Sequence, residues 1–548
     1  MTSSGGALNS RTHASTHPLS VLSMTTPSQG AAQSRLLILA AICLSALVLP
    51  LSFSGGAVAT PAIGRDLGGD ATQLTWITNS FMLTFGSLLM AAGALADQFG
   101  RKRLFVAGLG GFIVTSLAMS FAPSVVWLDI LRAVQGVFAA ASLSSGAASL
   151  AQEFDGHART RAFSLLGTSF GIGLAFGPLM AGALITHWGW RSIFAVIAAI
   201  GALAFVFGVP RMRETRDSHA TGLDYPGTAT FTATLALFTS GVIEAPERGW
   251  NSGIVLTLLA ASVVFLIAFV IIENRVRRPM LDLRLFRYPR FIGVQILPVG
   301  TCYCYVVLVV MLPLRFIGAE GLSEIDTGLL MVALSAPMIV VPVVVAYFTR
   351  WLSAGVLSAI GFLIAAVGLY WLSCVDFSGA KQALIAPMLV IGIGTGMPWG
   401  LMDGLSVSVV PKERAGMAAG IFSTTRVAGE GIALAIATAL LAALAQLSLE
   451  RMAGTNDATL SKRIADAAHR VTEGDMIHAA GALPEFARDT LSTSYAGAFT
   501  SLLHALIAIT VLSAIATFVF LSKTPAEDEA YDAGAKKTNV SKVGLGAS

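Results

Sequence analysis

Fourteen stretches of about twenty mostly apolar residues dominate this chain and fix its surroundings before any motif is read. They run over 36–58, 75–96, 104–122, 126–150, 162–186, 191–210, 226–244, 252–272, 291–313, 326–348, 353–374, 383–410, 415–444 and 497–521. Each is long enough to cross about 30 Å of hydrocarbon as a helix rising about 1.5 Å per residue. In lipid every backbone polar group must be paired inside the protein, which leaves helices or a closed barrel. A barrel needs alternating segments of about ten residues, and these runs are continuously apolar. Only 12% of the residues are charged against 55% hydrophobic, about half the roughly 25% charge of a soluble domain. Soluble and disordered chains are thereby excluded, and four Cys are too few for a disulfide scaffold. The expectation is an all-α polytopic membrane protein with 14 transmembrane helices, of which the Thr-rich 226–244 is the weakest.

The cationic residues set the orientation. With residue 1 in the cytoplasm, seventeen Lys and Arg fall in loops on that side, among them Arg101, Lys102, Arg103, Arg211, Arg284 and Arg350. The other side holds ten, counting Arg65, Arg191, Arg248, Arg315, Lys381 and five in the long 445–496 loop. This bias satisfies the positive-inside rule and places both termini in the cytoplasm. Residues 1–35 are rich in Ser and Thr, lack a secretory apolar core and read as a disordered tail, within which Met24 is an alternative start. Residues 523–548 read as a second polar tail. In 445–496 an amphipathic stretch, Thr459–Val471, is expected to form a helical cap outside.

Chemistry is mostly excluded. No Gly-Lys-Ser/Thr sequence is present, so ATP is not the expected energy source and no phosphate loop is expected. The His are scattered, and Cys302 and Cys304 sit on different sides of a helix, so no metal or other cofactor is expected. Cys43, Cys302, Cys304 and Cys374 all fall in apolar spans and read as small fillers. A net charge of +4 points to no nucleic-acid partner. No acidic cluster marks a membrane-embedded transferase, so an enzyme is not expected.

Four segments carry a more specific signal. Gly93-Ala-Leu-Ala-Asp97-Gln-Phe-Gly100-Arg101-Lys102-Arg103 follows the second span; its Gly permit a tight turn and its cations hold that turn at an anionic leaflet. The fourth span has Leu128-Asp129-Ile-Leu-Arg132-Ala-Val-Gln135-Gly136, and the fifth has Gly173-Leu-Ala-Phe-Gly177-Pro178-Leu-Met-Ala181-Gly182. Trp190-Arg191-Ser-Ile-Phe194 opens the sixth. Together they resemble signatures of the major facilitator superfamily, and the fourteen spans resemble its fourteen-spanner drug:proton antiporter subfamily, over about residues 36–521. The resemblance implies two six-helix bundles, 36–210 and 291–522, with a linker at 211–290 that inserts two central helices. It also implies alternating access around a central cavity. Gly93, Asp97, Gly100, Arg101 and Lys102 would form the conformational switch, and Gly173, Gly177, Pro178 and Gly182 the antiporter-type hinge. Ala181 replaces one Gly of the usual pattern. Ser52 stands where the subfamily carries an acid in the first span, a departure from the standard proton-coupling scheme.

The few charges inside the spans are the candidate machinery. Arg132 costs at least about 2.5–3.5 kcal/mol in lipid unless it faces the interior; it would relay against a protonatable acid, or form a structural salt bridge with Asp129 at i−3. Glu430 lies mid-span with Arg426 at i−4, either as a proton-coupling acid or as a fixed ion pair. Asp403 would carry a proton or bind a cation, or reach water at the cytoplasmic mouth. Phe81, Met397, Trp399 and Met402 are candidate cavity walls. The expected function is proton-coupled efflux of amphipathic drugs or other small molecules, in the plasma membrane, by a monomer whose partners are the substrate, protons and lipid. Transport of one specific metabolite is the alternative, with a membrane sensor as a third class.

Overall fold

The computed structural model describes Thr2 and residues 29–522, apart from 155, 217–223, 277, 278, 280, 282, 378, 410–414, 454–457, 485 and 487. Met24 and the 523–548 tail therefore lie outside the described residues. Among those described there is no strand. The chain is all-α, and among the described residues thirteen helical segments are long and apolar enough to span a bilayer.

The first six are α1 (Gln29–Leu67), α2 (Ala71–Phe99), α3 (Arg101–Met119), α4 (Val125–Glu153), α5 (Gly156–Trp188) and α6 (Arg191–Gly208). Helix α1 begins inside the stretch expected to be a disordered tail. Polar caps supply acceptors for the free N–H groups at helix starts: Asp70 accepts from Gln73 N in a capping box, and Ser124 accepts from Trp127 N. These six pack chiefly on one another, α1 on α5 and α6, and α4 on α2 and α3.

Helix α7 (Tyr225–Arg248) forms a hairpin with α8 (Gly253–Arg275). The Thr-rich α7 is the fourteenth spanning-length helix and the one not among the thirteen apolar enough to cross on composition. It packs against both α2 and α15, whereas α8 packs on α7 and presents Val264, Leu266 and Ile267 outward.

The ninth span is longer and less regular than the pattern suggests. Helices α9 (Pro289–Thr301) and α10 (Val307–Leu314) are joined by a π-helical turn, Cys302–Val306, and a second one, Arg315–Ala319, follows. Arg315, counted above as a loop cation, is buried there. Its guanidinium lies 3.5 Å from the Phe377 ring centroid and Nε donates to Glu320 Oε1 at 3.1 Å. The tenth span is α11 (Glu324–Ser335) and α12 (Pro337–Phe348), broken before Pro337, which has no N–H to continue a helix. Then come α13 (Ala354–Ser373), α14 (Gln382–Ser408), α15 (Ala415–Ala453), the cap helices α16 (Ala458–Thr472) and α17 (Met476–Ala482), and α18 (Arg488–Leu521). Cys374 is exposed at the end of α13 and is not an apolar filler, unlike the buried Cys302 and Cys304.

Helices α9 to α15 and α18 form the second packed set, with α13 on α14 and α18, and α18 on α9 and α15. The two sets meet chiefly along two seams, α2 against α15 and α5 against α11 and α14, and α1 also packs on α10. On the first, a β-carbon at Gly86 would stand 2.7 Å from both Cα and N of Ala428, so only Gly allows this approach. At the end away from the Arg-rich loops the two sets are also tied by Arg65 of α1 to Glu324 of α11 at 2.6 Å.

Candidate functional site

Two clusters of buried polar groups stand out, one inside the first helix set and one where the second set meets α5. In the first, Arg132 of α4 is fully buried. Its Nε donates to Ile77 O at 2.8 Å, and Nη1 donates to Gln135 Oε1 at 2.8 Å and Ser52 Oγ at 3.0 Å. Ser52 in turn donates to Gln135 Oε1 at 3.3 Å, and Gln135 Nε2 to Ser116 Oγ at 2.7 Å. Phe81, itself fully buried, lies under the guanidinium with its centroid 4.5 Å away. The expected pair with Asp129 does not form: neutral oxygens hold Arg132, and Asp129 Oδ1 is buried without a hydrogen-bond partner. The residue at Ser52 is thus an immediate neighbour of Arg132, and it brings a hydroxyl instead of a countercharge.

The second cluster joins α14, α15 and α5. Arg426 Nη1 donates to Asp403 Oδ1 at 3.2 Å, the two side chains being 6% and 31% exposed. Phe170 and Phe422 flank the guanidinium, 4.9 and 5.7 Å from it. Asp403 is therefore only part-buried, at the edge, with Gly167 of α5 giving it room: a β-carbon there would stand 2.9 Å from Oδ2. Trp399 packs edge-on to Tyr305, centroids 6.1 Å apart, and its Nε1 is buried without a partner facing Gly171. Arg426 thus pairs with Asp403 and not with Glu430. The Glu430 carboxyl is 1% exposed, and both its oxygens lack a hydrogen-bond partner. Desolvating such a group as a carboxylate is far costlier than holding it neutral.

Of the four cavity-wall candidates, Trp399 alone joins the charged residues of the second cluster. Met402 is fully buried in the main core, and Met397 turns away to pack with Val345, Leu357 and Leu401. Phe81 stays with Arg132. Two neighbours that the sequence did not single out as site residues complete the geometry: Phe170, unremarkable among 30 Phe, and Gln135, noted there only as part of a motif.

The turn after α2 is built as an anchored knot. Arg101 Nη2 donates to Asp97 Oδ1 at 2.7 Å and Arg101 N to Thr215 O at 2.9 Å. Lys102 Nζ donates to Met212 O at 2.8 Å. Gly100 has φ 115° and its Cα abuts the Glu214 carboxylate, so the segment after α6 lies over this turn. Gly93 faces Ser144 of α4. In α5, which continues through Pro178, Gly173 and Gly177 abut α1 at Leu47 O and Ser54 Oγ, and Gly182 abuts Glu324 O of α11.

Known proteins resemble the chain in this arrangement. A sequence model described as Major Facilitator Superfamily matches residues 42–434. Multidrug resistance protein Stp of Mycobacterium tuberculosis (strain CDC 1551 / Oshkosh) is 30% identical over 395 residues, 72% of this chain and 73% of that protein. The tetracenomycin C resistance and export protein of Streptomyces glaucescens is 27% identical over 481 residues, 87% of this chain and 89% of that one. The methylenomycin A resistance protein of Streptomyces coelicolor is 31% identical over 381 residues, 69% and 80% of the two chains. Among solved structures, a bacterial homolog of the human lysosomal transporter Spinster, crystallised inward-facing and unoccupied, aligns with TM-score 0.59. It covers 91% of this chain and all of that one at 14% identity, a likeness of fold alone.

Proposed function

The chain belongs to the major facilitator superfamily, and we propose that it exports amphipathic small molecules across the plasma membrane in exchange for protons. Residues 36–210 and 291–522 act as two bodies that rock about the α2–α15 and α5–α11 seams, with 211–290 as the inserted linker. The Arg-rich loops and both termini face the cytoplasm. Relatives named for multidrug resistance and for antibiotic resistance or export support the efflux reading.

The observation that carries proton coupling is Glu430. An unpaired carboxyl in the middle of α15 holds its proton while enclosed and gives it up when the cavity opens to water. Arg426, one turn before Glu430 on α15, pairs with Asp403 on the face that meets α5, so a substrate cation competing for Asp403 would free Arg426 to stabilise ionised Glu430. Arg132 serves as the fixed positive charge of the first body. The turn at Gly93, Asp97, Gly100, Arg101 and Lys102 is the switch, and the Gly173, Gly177, Pro178 and Gly182 face of α5 is the hinge. The protein works as a monomer, without ATP.

The test is purified protein in liposomes carrying a luminal pH dye. Several unrelated lipophilic cations, ethidium and tetraphenylphosphonium among them, are expected to drive proton movement. Response to a single polar metabolite alone replaces drug export with the one-metabolite carrier. Glu430→Gln is expected to abolish substrate-driven proton flux while leaving substrate binding; intact flux removes Glu430 from the coupling scheme.

A further inference from the structure

The cap between α15 and α18 holds a carboxylic acid that the export scheme does not use. Glu473 lies in the two-residue turn after α16 and is 4% exposed, although the surrounding 445–496 stretch is polar. Its Oε1 is 2.5 Å from Thr75 Oγ1, which belongs to α2 in the other helix set. The turn is wedged between the sets. Gly474, with φ +82°, would place a β-carbon 3.0 Å from Leu314 O and 3.5 Å from Pro61 Cγ, and its backbone abuts Gly318. Helix α16 packs on α2 and α7 as well as on α15 and α18. Glu473 is thus a buried polar link between the two bodies at the end away from the Arg-rich loops.

The Thr75 hydroxyl is compatible with either protonation state of Glu473. Thr75 Oγ1 also lies 2.9 Å from Ala71 O, and its one hydroxyl proton cannot serve both acceptors fully. Ala71 O is already served by the Thr75 N–H within α2, so Thr75 is free to accept from a neutral Glu473 or to donate to an ionised one. Burial is what separates the two states: an ionised Glu473 would leave a charge in a seam with no cation bonded to it.

We propose that Glu473 is a proton-binding latch of the transport cycle, tying the outer end shut through Thr75 when protonated and releasing it when ionised. This rests on the alternating-access reading. Other ionisable groups surround the turn. On the cap, Arg470 pairs with Asp466 at 3.0 Å, Asp475 with His478 at 2.8 Å, and His469 is buried. Tyr495 approaches from α18, Arg315 with Glu320 from the second π turn, and Glu244 with Arg248 from α7. Arg65 with Glu324, and Asp70, which caps α2, lie beyond. Most of these neutralise one another locally, so burial dominates: it pushes the Glu473 carboxyl up from 4.5 to about 7, with the Thr75 hydrogen bond pulling the other way. The sign follows by linkage. A carboxyl that holds its proton more tightly when closed makes closure favoured by acid, about tenfold per pH unit between about 4.5 and about 7, and lost above.

The experiment is electron–electron distance measurement on the full chain in lipid nanodiscs. Spin labels go on Phe121→Cys and Ile477→Cys, 76% and 70% exposed at present, in a Cys374→Ser background. In the otherwise native chain the short-distance population is expected to grow as pH falls from 8 to 5. Glu473→Gln is expected to hold it short at every pH, and Thr75→Val, which removes the hydrogen bond that pulls the carboxyl down, to shift the midpoint to higher pH. A pH response that persists unchanged in Glu473→Gln overturns the latch and passes the effect to His469 or His478, which that variant retains. A distance that ignores pH yet responds to tetraphenylphosphonium overturns the latch and leaves the carrier reading standing; one that responds to neither overturns both.

Discussion

Arg132 and Arg426 are both buried cations on helices at the centre of their sets, yet they are neutralised differently. Arg426 has a carboxylate, Asp403, at 3.2 Å, whereas Arg132 has only the oxygens of Ile77, Ser52 and Gln135. Three acceptors at fixed angles suit a planar guanidinium with five donors and not an ammonium point charge. Arg132→Lys is therefore expected to cut the efflux rate in everted vesicles at least tenfold while the protein still reaches the membrane. Wild-type rates in that variant would make Arg132 a passive packing element. Which residues carry charge inside the spans was legible from the sequence, because so few do. Their partners were not: Arg132 with Asp129 and Arg426 with Glu430 are one turn apart, but side-chain direction and the neighbouring helix decide which contact forms. Glu473 escaped notice because a Glu in a polar loop has the composition of a solvated one, and its burial depends on where α2 and α10 pass.

At the scale of helices, apolar length is a strong signal because the bilayer imposes it, and thirteen spans stand on that criterion alone. The π-helical turns at Cys302–Val306 and Arg315–Ala319 left no trace, since a wider turn has no hydropathy pattern of its own. Nor did the burial of Arg315, whose aromatic partners Phe377 and Phe499 come from distant segments. Helix seams are where small residues matter, since lipid offers no hydrophobic drive for helices to associate and close packing must supply it. Gly86→Val would force the α2–α15 seam apart at a cost of about 1–3 kcal/mol. It is expected to lower the melting temperature of the purified protein by a few degrees and to slow efflux. Gly404→Val, where a β-carbon meets nothing within 4 Å, is the control expected to melt with the wild type. Equal melting of the two variants would mean the seam relaxes freely.

For the whole molecule, two ties of unequal strength join the helix sets at the end away from the Arg-rich loops, among the described residues. Arg65 and Glu324 meet at 2.6 Å but the Arg side chain is 60% exposed, and such solvent-screened pairs contribute about 0–1 kcal/mol. Arg65→Ala is expected to change the closed population by about fivefold or less, and by less still in high salt, as read from the same spin-label distances. A larger change would move the main tie away from the buried Glu473 turn. The inserted hairpin adds an asymmetry of another kind. Helix α7 lies across the α2–α15 seam and touches both sides, while α7 and α8 pack on neither α5 nor α11. Parting the first seam means peeling α7 from one of its supports, and parting the second does not. The two seams are therefore unequally strapped: α7 works as a brace across one, and the other opens without breaking a contact to the inserted hairpin.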